Sequence, residues 1–130
     1  MGLAGGAWFA WVVQSSRRAH LADVAVELCE RPGFWRLGRE ACELKARACL
    51  DAAFRADEPA AAELEPLRGR VRTELERGRA EDDVAARTGG DTGAAAFAEK
   101  LWSRLNEPFS LGRKNRATLV CLGALDAGAR

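Results

Sequence analysis

The sequence predicts an all-α protein, a single domain built as a bundle of about five helices with a buried C-terminal helix. Apolar residues recur at the three- and four-residue spacing of helices in five segments that Pro and Gly residues separate. No stretch of convincing length alternates apolar and polar residues, which is the pattern of strands. The 130 residues, 48% of them hydrophobic, suffice for a core that needs neither metal nor disulfides. We therefore expect one helical domain over residues 1–130.

The first two helices are predicted on either side of a turn. A wide apolar face over Ala7–Glu30 predicts a deeply placed helix, and the sequence RPG at Arg31–Gly33 ends it because Pro and Gly do not continue a helix. A second helix is predicted from Phe34 or Leu37 to Ala56. The apolar row of this second helix consists of Leu37, Ala41, Leu44 and Ala48, extended by Leu50, Ala53 and Phe54.

The third helix is predicted from Pro66 to Arg77, with an extension to Arg87 left open. Pro is well suited to the first turn of a helix, since its missing N–H is not needed there. The apolar row of this segment is thin, so we expect a surface helix. The row consists of Leu64, Leu67, Val71 and Leu75.

A flexible joint is predicted at Thr88–Gly93, where the sequence reads TGGDTG. Either Asp91 or Thr92 can cap the helix that follows, because both side chains accept hydrogen bonds from the first free amides of a helix. Pro108 ends this fourth helix. Its apolar row consists of Phe97, Leu101 and Leu105.

The last helix is predicted to start at Ser110 or Arg113. Its apolar residues occupy most of the helix circumference, so it belongs in a core or against a partner. Gly123 indicates a place where another helix comes close. The cations that begin at Arg113 lie at the N-terminal end of this helix, where they oppose its dipole, so we assign them to solubility or to an acidic partner. The apolar residues are Leu119, Val120, Cys121, Leu122 and Leu125.

No catalytic site is predicted, and we expect the protein not to be an enzyme. His20 is the sole histidine, and general acid–base or Ser–His chemistry most often requires one with a partner. Its neighbours Ala19 and Leu21 are apolar, so a partly buried structural histidine is expected. The TGGDTG sequence lacks both the lysine and the preceding strand of a phosphate-binding loop, and no small-molecule substrate or cofactor is predicted.

The four cysteines are expected to be reduced and buried. No secretory signal opens the chain and the apolar GAWFAWVV stretch is too short to span a bilayer, so a cytoplasmic location, or the cytoplasm or nucleus of a host, is expected. An antiparallel hairpin places Cys29 near Cys42 and His20 opposite Cys49. These two pairs lie roughly 13 Å apart along the helices, which is too far for one zinc ion. No metal site is therefore predicted.

The best candidates for partner binding are aromatic and cationic residues near the two ends of the chain. A Trp or Phe left on the surface is a common anchor of protein–protein contacts. We expect Arg113 and Arg116 to orient the partner. The aromatic candidates are Trp8, Phe9 and Trp11.

The segment LWSRLNEPFSLGRKNRATLVCLGALDAGAR, Leu101–Arg130, resembles part of the poxvirus Bcl-like proteins. The matching features are RLNEP, which ends one helix, and RATLVCLGAL, which corresponds to their buried central helix. Asn115, Arg116 and Gly123 correspond to the Asn, Arg and small residue of the cellular apoptosis regulators, although the Trp-Gly pair of that signature is missing. The resemblance implies a small intracellular helical bundle that blocks host apoptosis or innate immune signalling, including NF-κB.

Three functions thus stay open for this sequence. The favoured hypothesis is a non-enzymatic module that binds a protein partner, with the poxvirus-like inhibitor as its specific form. The second is a small structural or accessory subunit that oligomerises to cover its last helix. The third is a nucleic-acid-binding helical protein, which the net charge of +1 disfavours because little attraction for phosphates remains.

Overall fold

The computed structural model describes residues 19–55 and 57–128, with side chains up to residue 124. These residues confirm the all-α bundle, and none of them lies in a strand. Residues 19–27 are helical and are called α1, and a short 3-10 turn follows at Pro32–Phe34. The remaining helices are α2 at Arg39–Ala53, α3 at Ala61–Ala86, α4 at Ala94–Leu105 and α5 at Phe109–Gly128.

One hydrophobic core joins these helices. The C-terminal helix α5 is buried along one side, as predicted, with Leu119 and Leu122 fully enclosed. The other helices contribute the same kinds of side chain to the cluster. Its members include Leu21, Leu28, Leu50, Leu64, Val71, Phe97, Leu101 and Leu105.

The turn between α1 and α2 is anchored by Trp35, whose side chain is completely buried. Its indole Nε1 donates a hydrogen bond of 2.6 Å to the carbonyl oxygen of Leu28, which is one of the carbonyls that α1 leaves unpaired at its C-terminal end. Phe34 packs edge-on against Trp35 and also against Phe97 of α4. The predicted RPG break is confirmed, and the aromatic residues after it attach the turn to the core.

The expectation of reduced thiols is wrong, because the four cysteines form two disulfides. Cys29 bonds to Cys42, and Cys49 bonds to Cys121, each pair with Cα atoms 5.7 Å apart. The predicted proximity of Cys29 and Cys42 is confirmed. In the chain-entropy model, these bonds span 13 and 72 residues and stabilise the fold by about 3 and roughly 4 kcal/mol. His20, expected to be partly buried, is exposed.

The predicted apolar row of α2 is wrong in its middle part, whereas Leu50 and Ala53 are buried as predicted and Leu37 packs against the core. Leu44 is 66% exposed, and Ala41 and Ala48 lie on the same solvent side. The buried side instead carries the two disulfide cysteines and the small residues between them, because α2 must present these sulfurs to the α1 turn and to α5. The buried residues are Cys42, Ala46, Cys49, Leu50 and Ala53.

Helix α3 begins earlier than predicted, at Ala61 rather than Pro66. The side chain of Glu63 accepts a hydrogen bond from the backbone N–H of Ala60, which satisfies a donor at the helix start. Pro66 removes one backbone hydrogen bond, but both Pro66 and Ala62, four residues earlier, are exposed, so the freed carbonyl can face water. The extension of this helix towards Arg87 is confirmed.

Helices α3 and α4 come close enough at Gly78 that only glycine fits. A β-carbon added there would lie 2.6 Å from the backbone nitrogen of Ala95 and 2.8 Å from the carbonyl carbon of Ala94. By contrast, a β-carbon at Gly123 would make an ordinary 4.0 Å contact with Leu67. The close approach predicted for Gly123 is therefore wrong, and the real one lies between α3 and the start of α4.

The connection between α3 and α4 is tied to Asp82, one turn after Gly78. The Asp82 carboxylate accepts hydrogen bonds from both the backbone N–H and the hydroxyl of Thr92. The Thr92 hydroxyl oxygen in turn accepts from the N–H of Ala94. The N-cap residue of α4 is Gly93, so the prediction that Asp91 or Thr92 occupies this position is wrong. The bond from the Thr92 hydroxyl lowers the pKa of Asp82 below its ordinary value. The flexibility of residues 88–93 stays a prediction.

The close contact at Gly78 predicts a sharp difference between two glycines of α3. Gly78→Ala should destabilise the protein by about 2 kcal/mol, because the added methyl meets backbone atoms that cannot rotate away. Gly69→Ala is the matched control, since no atom lies within 4 Å of its β-carbon position. We expect Gly69→Ala to raise stability slightly through helix propensity. Urea denaturation measures both changes, and an equal effect at the two sites would contradict the close contact.

The lowered pKa of Asp82 predicts a pH-dependent contribution to stability. A carboxyl whose pKa is lower in the folded state stabilises fully above its ordinary value, near 4, and loses this effect as the pH falls. The difference in unfolding free energy between wild type and Asp82→Ala should therefore be largest from about pH 5 to 7 and shrink below about pH 4. Asp83→Ala, at an exposed neighbouring carboxyl, serves as control. A difference that does not change with pH would refute this role of Asp82.

Candidate protein-docking surface

The aromatic residues predicted to bind a partner, Trp8, Phe9 and Trp11, lie outside the described residues. Arg113 and Arg116 lie on α5, but the structure uses them differently. Arg113 is exposed to solvent, whereas the Arg116 side chain is only 13% exposed.

Arg116 holds together the corner between α4 and α5. Its guanidinium donates hydrogen bonds to the carbonyl oxygens of Leu105, at 3.3 Å, and Glu107, at 3.0 Å, and forms an ion pair with Glu58. These carbonyls belong to the C-terminal end of α4 and the turn after it, where carbonyl groups lack helical partners. Arg116 of α5 thus donates hydrogen bonds to carbonyl groups that α4 leaves unpaired at and just after its C-terminal end.

A second set of ionic contacts surrounds this corner. Arg104 pairs with Glu27 of α1 at 3.1 Å and with Glu107 at 3.2 Å. The other carboxylate oxygen of Glu107 accepts a hydrogen bond from the side-chain amide of Asn115, which is buried. We call Glu27, Arg104, Glu107, Asn115 and Arg116 the corner network. It connects α1, α4 and α5 through charged groups that are largely removed from water.

Lys100 continues these contacts toward solvent. Its ammonium group lies 3.1 Å from Glu30 and 3.5 Å from Glu27. The hydrogen bond to Glu30 raises the pKa of Lys100 above its ordinary value, and the charge of Glu27 adds to this effect. These pairs are exposed, so each contributes little to stability on its own.

Lys114 connects α5 to the C-terminal end of α2. Its ammonium group donates a 2.8 Å hydrogen bond to the carbonyl oxygen of Ala53 and lies 5.2 Å from the ring centroid of Phe54. A cation at this position is favourable, since the C-terminal end of a helix carries partial negative charge. The cations near the start of α5 oppose the dipole of their own helix. Two of them, Lys114 and Arg116, instead neutralise the partial negative charge at the C-terminal ends of α2 and α4.

The corner places Phe109 in an unusual position. Its backbone has a φ of 61° and its side chain is 87% exposed. The chain turns tightly here: a β-carbon at Gly112 would overlap the carbonyl oxygen of Glu107, so only glycine fits. Left-handed backbone disfavours side chains other than glycine by about 1–2 kcal/mol. Phe109 is thus both conformationally strained and exposed.

Aromatic and cationic side chains lie at the N-terminal end of α5 and next to it. Arg113 follows Phe109 by one helical turn, and Lys114 joins the same end of α5 to Phe54, which is itself 38% exposed. We call Phe54, Phe109, Arg113 and Lys114 the docking surface. Sequence reasoning named only Arg113 among them for partner binding. The sequence signal that could have identified Phe109 is the Pro-Phe pair at the start of α5. A large aromatic residue directly after the Pro that ends α4 does not belong to the apolar row predicted for either helix.

Several concave regions lie on other parts of the described bundle, among them a shallow one of about 530 Å³ beside the exposed Val84 of α3. A groove of about 400 Å³ lies between α2 and α5, with a floor of small side chains and a rim that carries Asp57, Glu58 and Glu63. We call it the acidic groove. A larger groove of about 680 Å³ lies between the 3-10 turn, α3 and α4. Its arginines already have partners within the protein, for example the Thr92 carbonyl for Arg31, so it offers no prepared anion site.

The described residues contain no group of three or more His, Cys, Asp or Glu placed to hold a metal ion. Within the same part of the chain, every helix is too short or too polar to cross a membrane. Comparisons with protein-family models, with curated proteins and with solved structures find no match to this chain. Function must therefore be argued from the geometry of the surface itself.

The different surroundings of the two arginines predict different effects on stability. Arg116→Ala should cost about 2 kcal/mol or more, because it removes charge-assisted hydrogen bonds and leaves carbonyl groups of the corner unpaired. Arg113→Ala should change stability by less than about 0.5 kcal/mol, as is usual for exposed positions. Thermal and urea denaturation measure both. If Arg113→Ala were the more damaging substitution, the assignment of the two roles would be wrong.

Proposed function

We propose that this chain is a non-enzymatic protein–protein interaction module whose docking surface binds a partner. The observation that carries the proposal is Phe109, a strained and exposed aromatic residue where glycine would relieve the backbone. Strained backbone and exposed aromatic side chains are both more frequent at functional sites than elsewhere. Since neither feature benefits the folded chain alone, a role in binding accounts for both.

The chemistry of the docking surface specifies what it would bind. The ring of Phe109 fits an apolar pocket, and the guanidinium of Arg113 fits carboxylates at the rim of that pocket. Lys114 is committed to the Ala53 carbonyl and adds positive potential rather than a free hydrogen-bond donor. The partner we propose is therefore a protein with an apolar depression bordered by Asp or Glu.

The specific form of this proposal is a Bcl-like inhibitor of host apoptotic or innate immune signalling. What supports it is the arrangement of the segment that carries the resemblance: RLNEP ends α4, and α5 contributes a buried row to the core. The test is direct binding of an amphipathic helical peptide from a pro-apoptotic protein, measured by fluorescence polarisation. Saturable binding that a scrambled peptide does not reproduce would support this form, and its absence would leave only the general proposal.

The two disulfides bear on where the protein works. The cytoplasmic location was expected because no secretory signal was recognised, and reduced thiols were its consequence; the two disulfides do not agree with that consequence. Disulfides form and persist chiefly in oxidising compartments. We therefore propose that the protein matures under oxidising conditions, which non-reducing mass spectrometry of protein taken directly from its native source would test. Free thiols at all four cysteines would contradict it.

The strain at Phe109 predicts that stability and binding change in opposite directions. Phe109→Gly should raise the unfolding free energy by about 1 kcal/mol, because glycine tolerates positive φ. The partner is first identified by cross-linking and purified. The same substitution should then weaken its binding by at least about tenfold, which is typical of an aromatic hot spot.

The matched control is Leu44→Ala, at another exposed apolar side chain on α2. It should leave partner affinity unchanged. A Trp8→Ala/Trp11→Ala variant tests the predicted aromatic residues outside the described part of the chain. If Phe109→Gly retained full affinity while the tryptophan variant lost it, the docking surface would be wrongly placed.

A second candidate function is an accessory subunit that associates with its own copies. The acidic groove favours it, since small apolar side chains and carboxylates are what Phe109 and Arg113 would meet there. Light scattering after size exclusion should then show a dimer that dissociates in high salt and in the Arg113→Glu variant. A monomer at all concentrations would exclude this candidate and leave the binding of a different protein.

A further inference from the structure

The two disulfides differ in their access to solvent. Both sulfurs of Cys29–Cys42 belong to residues with no accessible surface, in the same core as the buried Trp35. Cys49 and Cys121 instead line the acidic groove, and Cys121 is only half-buried. A reactant of the size of a small thiol can thus reach one disulfide from the surface of the folded protein but not the other.

We infer that Cys49–Cys121 is a thiol–disulfide exchange site that accepts neutral or cationic dithiols at the acidic groove. Exchange requires a thiolate to approach one sulfur of the bond, so access governs its rate as much as intrinsic reactivity. The groove supplies that access at Cys121. The Cys29–Cys42 bond is a permanent structural link in the same molecule and provides an internal reference.

The chemistry follows from which cysteine is the more exposed, since Cys49 is buried and Cys121 is half-buried. The thiolate of the dithiol attacks Sγ of Cys121, forms a mixed disulfide with it and releases Cys49 as a thiolate. The second thiol of the reactant, once deprotonated, then attacks its own sulfur in the mixed disulfide and releases the Cys121 thiolate. The dithiol leaves as a disulfide, oxidised by two electrons, and its two protons are taken up by Cys49 and Cys121.

The rim of the groove determines which reactants are accepted. Asp57 and Glu63 are exposed beside the sulfurs, whereas the charge of Glu58 is compensated by Arg116. The carboxylates of Asp57 and Glu63, the latter also accepting the N–H of Ala60, repel an anionic thiol and attract a cationic one, and salt weakens this effect. The site is therefore selective for charge as well as for size.

The first test maps which cysteines react under native conditions. The full-length oxidised protein is treated with low concentrations of dithiothreitol, quenched, alkylated and analysed by peptide mass spectrometry. We expect Cys49 and Cys121 to be labelled at least about tenfold faster than Cys29 and Cys42, because access limits the second pair. Equal rates, faster opening of Cys29–Cys42, or labelling of all four residues without reductant would overturn the inference.

The second test examines the charge selectivity. Rates of exchange are compared for cysteamine, which carries a positive charge, and 3-mercaptopropionate, which carries a negative one. The ratio should fall by a factor of roughly two to five in the Asp57→Asn/Glu63→Gln variant, and in wild type at high salt. Comparing ratios cancels the intrinsic difference between the two thiols. An unchanged ratio would show that the reactant does not enter through this groove.

Discussion

The corner network is the constraint on which the rest of the structure depends. Arg104 and Arg116 bring two positive charges into a region where α1, α4 and α5 meet, and Glu27, Glu58 and Glu107 neutralise them. Partly buried charges are stable only when their partners are in place, so the three helices and the linker before α3 can assemble in one arrangement. Apolar contacts alone would permit α5, whose apolar residues occupy most of its circumference, to rotate about its axis. The network and the Cys49–Cys121 disulfide together select one rotation, and this selection determines which residues of α5 face outward.

The docking surface is a consequence of that selection. The tight turn that brings Glu107 to Asn115 and Arg116 also requires Gly112 and forces Phe109 into left-handed backbone. The same turn points Arg113 to solvent while Arg116 is enclosed. The backbone strain at the exposed Phe109 thus accompanies the favourable hydrogen bonds that Asn115 and Arg116 make with Glu107. A protein without a use for the exposed ring would be more stable with glycine there, which is why we connect the strain with binding.

Much of the helical framework could be predicted from local pattern, and the errors have identifiable causes. Periodicity placed α2, α4 and α5 because their apolar spacing and their Pro or Gly boundaries agree. It failed for the exposed row around Leu44, since two cysteines looked like ordinary small apolar residues until their partners were known. The predicted start of α3 at Pro66 was wrong because a proline is tolerated inside this helix. The carbonyl group that loses its hydrogen bond, that of Ala62, lies on the exposed side. Of the candidate site, only Arg113 could be recognised as a free cation, whereas the internal role of Arg116 depends on carbonyls more than eight residues away.

The sequence by itself determined the fold class, the ends of most helices, the buried character of α5 and the proximity of Cys29 to Cys42. These properties follow from spacing along the chain, which is all that local pattern records. Only the tertiary structure decided the pairing of Cys49 with Cys121, the close approach at Gly78, the separate roles of the α5 cations and the exposure of Phe109. Each of these depends on which distant segment lies opposite a residue, and one-dimensional periodicity carries no information about that.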